Sequence, residues 1–255
     1  MTVLVKNRTI LYSLVLFLFL VSCYACTIDN KRNIQAYYLP LDELTDGLVY
    51  EYQAINNEQL PPFYWYFRTT KIRDKTILSS QYFDYQFRIQ QLIKEDIVST
   101  GVILTEFSLF STDTLTGKQT PNPVKVEWDN AFPFEVTDST GAFLYKLYWR
   151  DAENPKQKIR LIRNRHFMGD ATYSYKNKSV DCVRFLVKEL LEIEEEGFQE
   201  FTYQGTELYA KDIGLVYFKK VIEDNVVQEY ELVDRYDMST LEQKFKESIN
   251  REEDK

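Results

Sequence analysis

Gly214-Leu-Val-Tyr-Phe-Lys-Lys-Val-Ile222, then Glu223-Asp-Asn225, then Val226-Val-Gln-Glu-Tyr-Glu-Leu-Val233, is the stretch that sets the class of fold. Two runs rich in β-branched and aromatic residues flank a short polar break. Asp224-Asn225 can adopt the left-handed backbone of a tight turn, so the stretch reads as an antiparallel hairpin. On either side of it the apolar period is again two. Leu48–Ile55 follows the turn signal Asp46-Gly47, and Phe63–Phe67, Val102–Phe110, Val124–Trp128 and Phe143–Trp149 are further strand candidates. Tyr85, Phe87 and Ile89 alternate with Gln86, Arg88 and Gln90 in the same way. Val180–Ile193 mixes strand and helix formers, but Gly197 and a second β-like run follow it, which favours a long strand entering a hairpin. One helix is expected, because Ser239-Thr-Leu-Glu242 has capping-box spacing and Leu241, Phe245 and Ile249 share a face. The expected fold is therefore mainly β: a curved antiparallel sheet with a short C-terminal helix. It would form either a half-open barrel or two packed sheets, with a break near Asp113–Pro123 in the second case.

The chain has 255 residues, with 31 Lys+Arg against 39 Asp+Glu and a net charge of −8. A nucleic-acid binder needs a basic face for phosphates, so no nucleic-acid partner is expected. Hydrophobics at 44% and charged residues at 27% suit a globular chain; the unusual figure is 15% aromatic, carried by 19 Tyr and 17 Phe. A single His and three Cys exclude a His/Cys zinc site built from this chain alone, and neither a metal nor a cofactor is expected.

Lys6 and Arg8 precede Ile10–Val21, an apolar run shorter than the roughly 20 residues of a spanning helix. This is the layout of an export signal. Leu20-Val-Ser-Cys23 resembles the bacterial lipobox. The resemblance implies that a diacylglycerol is attached to the Cys23 sulfur, that the chain is cut before Cys23, and that the new amine is acylated. Two or three acyl chains, at about 0.8 kcal/mol per buried CH₂, would hold the protein on a bilayer. An ordinary cleavage after Ala25, or an uncleaved anchor, are the alternatives. Loss of Lys6 and Arg8 would make the chain two units more negative, so attachment would rest on lipid and not on charge. The organisation expected is a signal peptide over residues 1–22, a lipidated tether over 23–36, an antiparallel β domain over 37–236, and a helix and tail over 237–255. The residues after Cys23 hold no acidic run of the surface-export type found in some Bacteroidota lipoproteins, which points to an outer-membrane site facing the periplasm.

Tyr209-Ala-Lys-Asp-Ile-Gly-Leu-Val216 resembles a segment near the C-terminus of periplasmic proteins and lipoproteins with a curved, half-open antiparallel sheet, many of unassigned function. The resemblance implies a tight loop after a strand, with Gly214 admitting a bend or close backbone approach. Asp113-Thr-Leu115 and Asp138-Ser-Thr140 resemble the short O-glycosylation signal of the Bacteroidota. Cys26 and Cys182 could pair after export, but Cys182 lies in a strand-like run and reads better as a small buried hydrophobe.

Catalytic chemistry has little to stand on. His166 sits among Arg160, Arg163 and Arg165, reads as a surface or edge-strand residue, and is the only histidine available for a Ser-His or Cys-His mechanism. The basic run Lys156–Arg165 is either an anion-contact patch or, preferably, a solvated strand face guarding a sheet edge. Asp42/Glu43/Asp46 and Asp234/Asp237 could ligate calcium but read as solvated loops, and Glu194–Glu196 reads as a hairpin tip. The aromatics carry more weight. Phe63-Tyr-Trp-Tyr-Phe67 has rings on both faces, so one face joins the core and the other meets a second sheet, the helix, a partner or a ligand.

The expected role is that of a non-catalytic binding or structural module on the envelope membrane, with its protein partner unspecified. One alternative is a carrier of a hydrophobic ligand, which needs an apolar void lined by several of Phe63, Trp65, Phe67, Phe87, Trp128 and Trp149. A glycan could stack on the same rings. The other alternative is a carbohydrate-active hydrolase, which needs two carboxylates across a cleft.

Overall fold

The computed structural model describes residues 31–55, 57, 59–137, 143–223 and 226–253. The signal segment, Cys23, Cys26, the Asp224-Asn225 turn and Asp138-Ser-Thr140 lie outside the described residues.

Twelve strands form one closed antiparallel barrel. They are β2 (Leu48–Ala54), β3 (Phe63–Ile72), β4 (Lys75–Phe83), β5 (Ile89–Val98), β6 (Gly101–Thr112), β7 (Gln119–Pro133), β9 (Phe143–Arg150), β10 (Lys158–Tyr175), β11 (Lys178–Glu194), β12 (Phe198–Ala210), β13 (Gly214–Glu223) and β14 (Val226–Tyr236). A two-stranded ribbon, β1 (Arg32–Asn33) with β8 (Glu135–Val136), stands apart. The barrel is an up-and-down meander in which β7 pairs with β9 and β14 returns to β2, with Tyr230 opposite Ala54 and Tyr236 opposite Val49. Closure leaves none of the twelve described barrel strands with a free edge. The mainly β antiparallel expectation holds, and the sheet goes beyond half-open. Asp113–Lys118 is the β6–β7 turn within this one sheet, not a boundary between two.

Alternation sends Phe63, Trp65 and Phe67 of β3 inward and Tyr64 and Tyr66 outward. The outward rings meet α1 (Met238–Glu253), not a second sheet: Leu241 of α1 is buried with Val49 and Tyr64. Phe245 lies 4.4 Å from the Phe87 ring, while Ile249 is outside the residues whose side chains are described. The helix cap differs from the expected one. Asp237, not Ser239, caps it, its Oδ1 accepting the Thr240 N–H at 2.8 Å and the Ser239 hydroxyl at 2.7 Å. An aspartate one residue before the helix captures the free N–H groups better than a serine already inside it.

Tyr85–Arg88 is a turn, contrary to the alternating-strand reading. Asp84 accepts the N–H groups of Gln86 and Arg88, and Phe87 sits at φ 59°. A carboxylate that caps nearby N–H groups competes with the sheet ladder, and apolar alternation cannot reveal this.

One end of the barrel is plugged by the N-terminal segment. Residues 35–37 form a 3₁₀ turn, and Ile34 and Leu44 are buried completely. Tyr38 packs on Phe132 at 5.0 Å. The Asp212 N–H donates to the Ala36 carbonyl at 2.8 Å. Gly214, at φ +103°, lets the Tyr38 carbonyl come so close that a Cβ there would lie 2.6 Å from it. The ordered body thus takes in residues 32–36, which the sequence reading placed in the tether, because Ile34 and the β1–β8 pairing tie them down. The barrel's outer face carries ion pairs such as Lys94–Glu106 at 2.7 Å and Lys146–Glu127 at 3.2 Å.

Candidate ligand-binding cavity

Above the plug the barrel is not filled. A cavity of about 480 Å³ occupies the interior, with Tyr38 and Leu39 on its wall at the plugged end. That volume falls in the range of small-molecule sites. Its walls differ around the circumference. From β14 through β6 the lining is mostly apolar or aromatic: Tyr230, Phe63, Trp65, Phe67, Tyr82 and Phe107. These rings form one packed surface, with Phe63 4.9 Å from Tyr52 and 5.0 Å from Tyr230, and Trp65 stacked on Phe67 at 5.8 Å. On this wall the Ser80 hydroxyl is buried without a hydrogen-bond partner among the described residues.

From β10 to β13 the wall is ionic. Arg165 grips Glu207 with two nitrogens, at 2.7 and 3.3 Å, and donates to the Ala131 carbonyl at 2.9 Å. The Tyr209 hydroxyl donates to the same Glu207 carboxylate at 3.0 Å. Arg163 and Lys220 both pair with Glu189. Gly205 makes this corner possible, since a Cβ there would sit 2.2 Å from the Lys219 carbonyl oxygen. Burial alone would push Glu189 up, but Arg163 and Lys220 outweigh it and bring the carboxyl down to about 2. Glu207 is likewise lowered, burial being overcome by Arg165 and Arg163. Glu95 goes the other way. Burial raises it even though the Tyr38 hydroxyl donates to it at 2.7 Å.

Of the six aromatics singled out from sequence, Phe63, Trp65 and Phe67 line this cavity. The other three do not. Phe87 packs outside, stacked on Tyr64 at 5.1 Å beneath the helix. Trp128 is half exposed, with Lys146 over its ring at 5.4 Å. Trp149 borders a separate shallow pocket beside Arg88 and Asp151. The basic run divides as strand alternation requires. Lys158 and Arg160 pair with Glu194 and Glu192 as a solvated face should, whereas Arg163 and Arg165 point into the barrel. His166 lies on β10 away from the cavity wall, and β10 is no edge.

Sequence reasoning missed Arg163, Arg165, Glu189, Glu207 and Lys220 as one group. A usable signal existed: Glu189 continues the parity of the buried Val183, Phe185 and Val187 on β11. A charge in register with a core face needs an inward partner.

Cys182 is buried, with a free thiol, and burial raises its pKa to about 11. Asp42 and Asp234 hold Lys71 and Lys176. Among the described residues no group of three or more His, Cys, Asp or Glu could hold a metal ion. Thr114 sits on the exposed β6–β7 turn, next to a Leu115 that is 95% exposed.

No family model matches the chain, and no curated protein is similar to it. Solved structures similar to it include the following three. A proposed lipoprotein from Parabacteroides distasonis is 16% identical, with 77% of this chain and 95% of that one covered and a TM-score of 0.49. A proposed exported protein with YmcC-like fold from Bacteroides fragilis is 14% identical, with 75% and 96% covered and a TM-score of 0.44. The hypothetical lipoprotein YmcC from Escherichia coli is 13% identical, with 85% and 96% covered and a TM-score of 0.32. At these scores the likenesses assign this chain no ligand and no activity.

Proposed function

We propose that the protein is an exported lipoprotein, anchored through Cys23, whose barrel binds one small molecule in its interior and performs no chemistry on it. The observation that carries this reading is the cavity of about 480 Å³ with an aromatic wall facing an ionic one. An interior meant only for stability would be filled to the density of other protein cores. The ion-paired outer face suits an aqueous compartment, and the lipobox resemblance supplies the tether, placed at the outer membrane and facing the periplasm. A hydrolase is less well supported. Glu207 is committed through both oxygens to Arg165 and through one to Tyr209, and Glu95 receives Tyr38.

Native mass spectrometry of the full chain, extracted from membranes of its own host, tests the binding. A non-covalent small-molecule adduct is expected, and an interior that stays empty even after incubation with apolar probes overturns the reading. Intact mass of the same material tests the anchor: an acylated chain beginning at Cys23 is expected, and an unmodified Cys23 removes that part.

A further inference from the structure

We infer that the cavity takes an anionic amphiphile, its single negative group held by Lys220 and Arg163 and its apolar body laid on Phe63, Trp65 and Phe67. This rests on the binding reading above and adds the chemical class of the ligand.

The ionic wall holds three cations and two carboxylates. Glu189 serves both Arg163 and Lys220, and Glu207 serves Arg165. Depth decides which sign the cavity meets. The side chains of Glu189 and Glu207 are 4% and 8% exposed, whereas those of Arg163 and Lys220 are 28% and 30% exposed. Glu189 therefore lies behind Arg163 and Lys220, and because the lining holds Arg163, Arg165, Lys220 and Glu207 but not Glu189, this wall presents more positive than negative charge. The remaining carboxylate on the lining, Glu95, stands on β5 and accepts the Tyr38 hydroxyl, and even counted with Glu207 it leaves the three cations of the lining in excess. An incoming anion balances the surplus cation on this wall.

An aromatic wall alone would also suit a cationic ligand, but the facing Arg163 and Lys220 oppose one. A bare small anion would leave the wall of Phe63, Trp65 and Phe67 unused. The volume suits one small amphiphile.

Two fluorescent probes with the same aromatic body test the class on the full chain: anilinonaphthalene sulfonate, and phenylnaphthylamine, which lacks the sulfonate. The sulfonate probe should bind about tenfold more tightly or better. Lys220→Gln should abolish that preference while leaving the neutral probe's affinity within about twofold, which also reports that the variant is folded. Equal affinity for the two probes in the native chain overturns the anionic class and leaves the binding reading standing. Binding of neither probe overturns the binding reading as well. Decanoate should displace the sulfonate probe, and inorganic phosphate at the same concentration should not. Displacement by phosphate as effective as by decanoate overturns the amphiphile.

Discussion

At the residue scale, single side chains carry both the plug and the ionic wall. Gly214 is held at a φ that other residues avoid, with the Tyr38 carbonyl and the Leu39 side chain where a Cβ would go. Gly214→Ala combines backbone strain with a clash against the plug and should cost about 3 kcal/mol; urea unfolding measures it, and an unchanged midpoint would contradict the close approach. Glu189 sets an acid limit. A carboxyl held at about 2 when folded, against about 4.3 when unfolded, contributes stability that is present above the ordinary carboxylate range and is lost as pH falls through about 2. Glu207, also lowered, acts in the same sense. Glu95, raised, acts in the opposite sense: its contribution is complete below the ordinary range and fades as pH rises through its folded value. With two lowered carboxyls against one raised, stability should fall on acidification. Glu189→Gln should cost about 3 kcal/mol near neutrality and flatten the acid limb of a plot of urea midpoint against pH.

At the element scale, α1 is the cover for an aromatic outer face. Asp237→Ala removes the cap and should destabilise the protein by about 1 kcal/mol. Leu241→Ala opens a hole against Val49 and Tyr64 and should cost about 3 kcal/mol. In both variants the neutral-probe affinity of the interior should stay as it was, since the helix packs outside the barrel. Helix and strand types were readable because each rests on local periodicity: the stripe through Leu241 and Phe245, and the alternation along β13 and β14, need nothing from elsewhere in the chain. The exceptions have local causes too. The Asp84 cap turned an alternating run into a turn, and Asp237 took the capping role from Ser239, both through side-chain to backbone hydrogen bonds that hydrophobic pattern does not register.

At the scale of the whole molecule, closure is the costly step. β2 meets β14 only when residues 48–54 and 226–236 come together, a pairing of high sequence separation that must offset a large loss of chain entropy before it is rewarded. Refolding followed by far-ultraviolet circular dichroism should take milliseconds to seconds or longer, and completion within microseconds would be inconsistent with a barrel closed by its ends. Amino-acid order alone settled the class of secondary structure, a long strand over Val180–Ile193 and the C-terminal helix, since each is written in neighbouring residues. It also placed Phe63, Trp65 and Phe67 on one face. Only the folded barrel decided that this face looks into an open cavity, that Phe87, Trp128 and Trp149 do not, and that Arg163, Arg165, Glu189, Glu207 and Lys220 stand together. Those five come from four strands, and what joins them is strand register and the curvature of a closed sheet, a relation between distant segments that no local pattern contains.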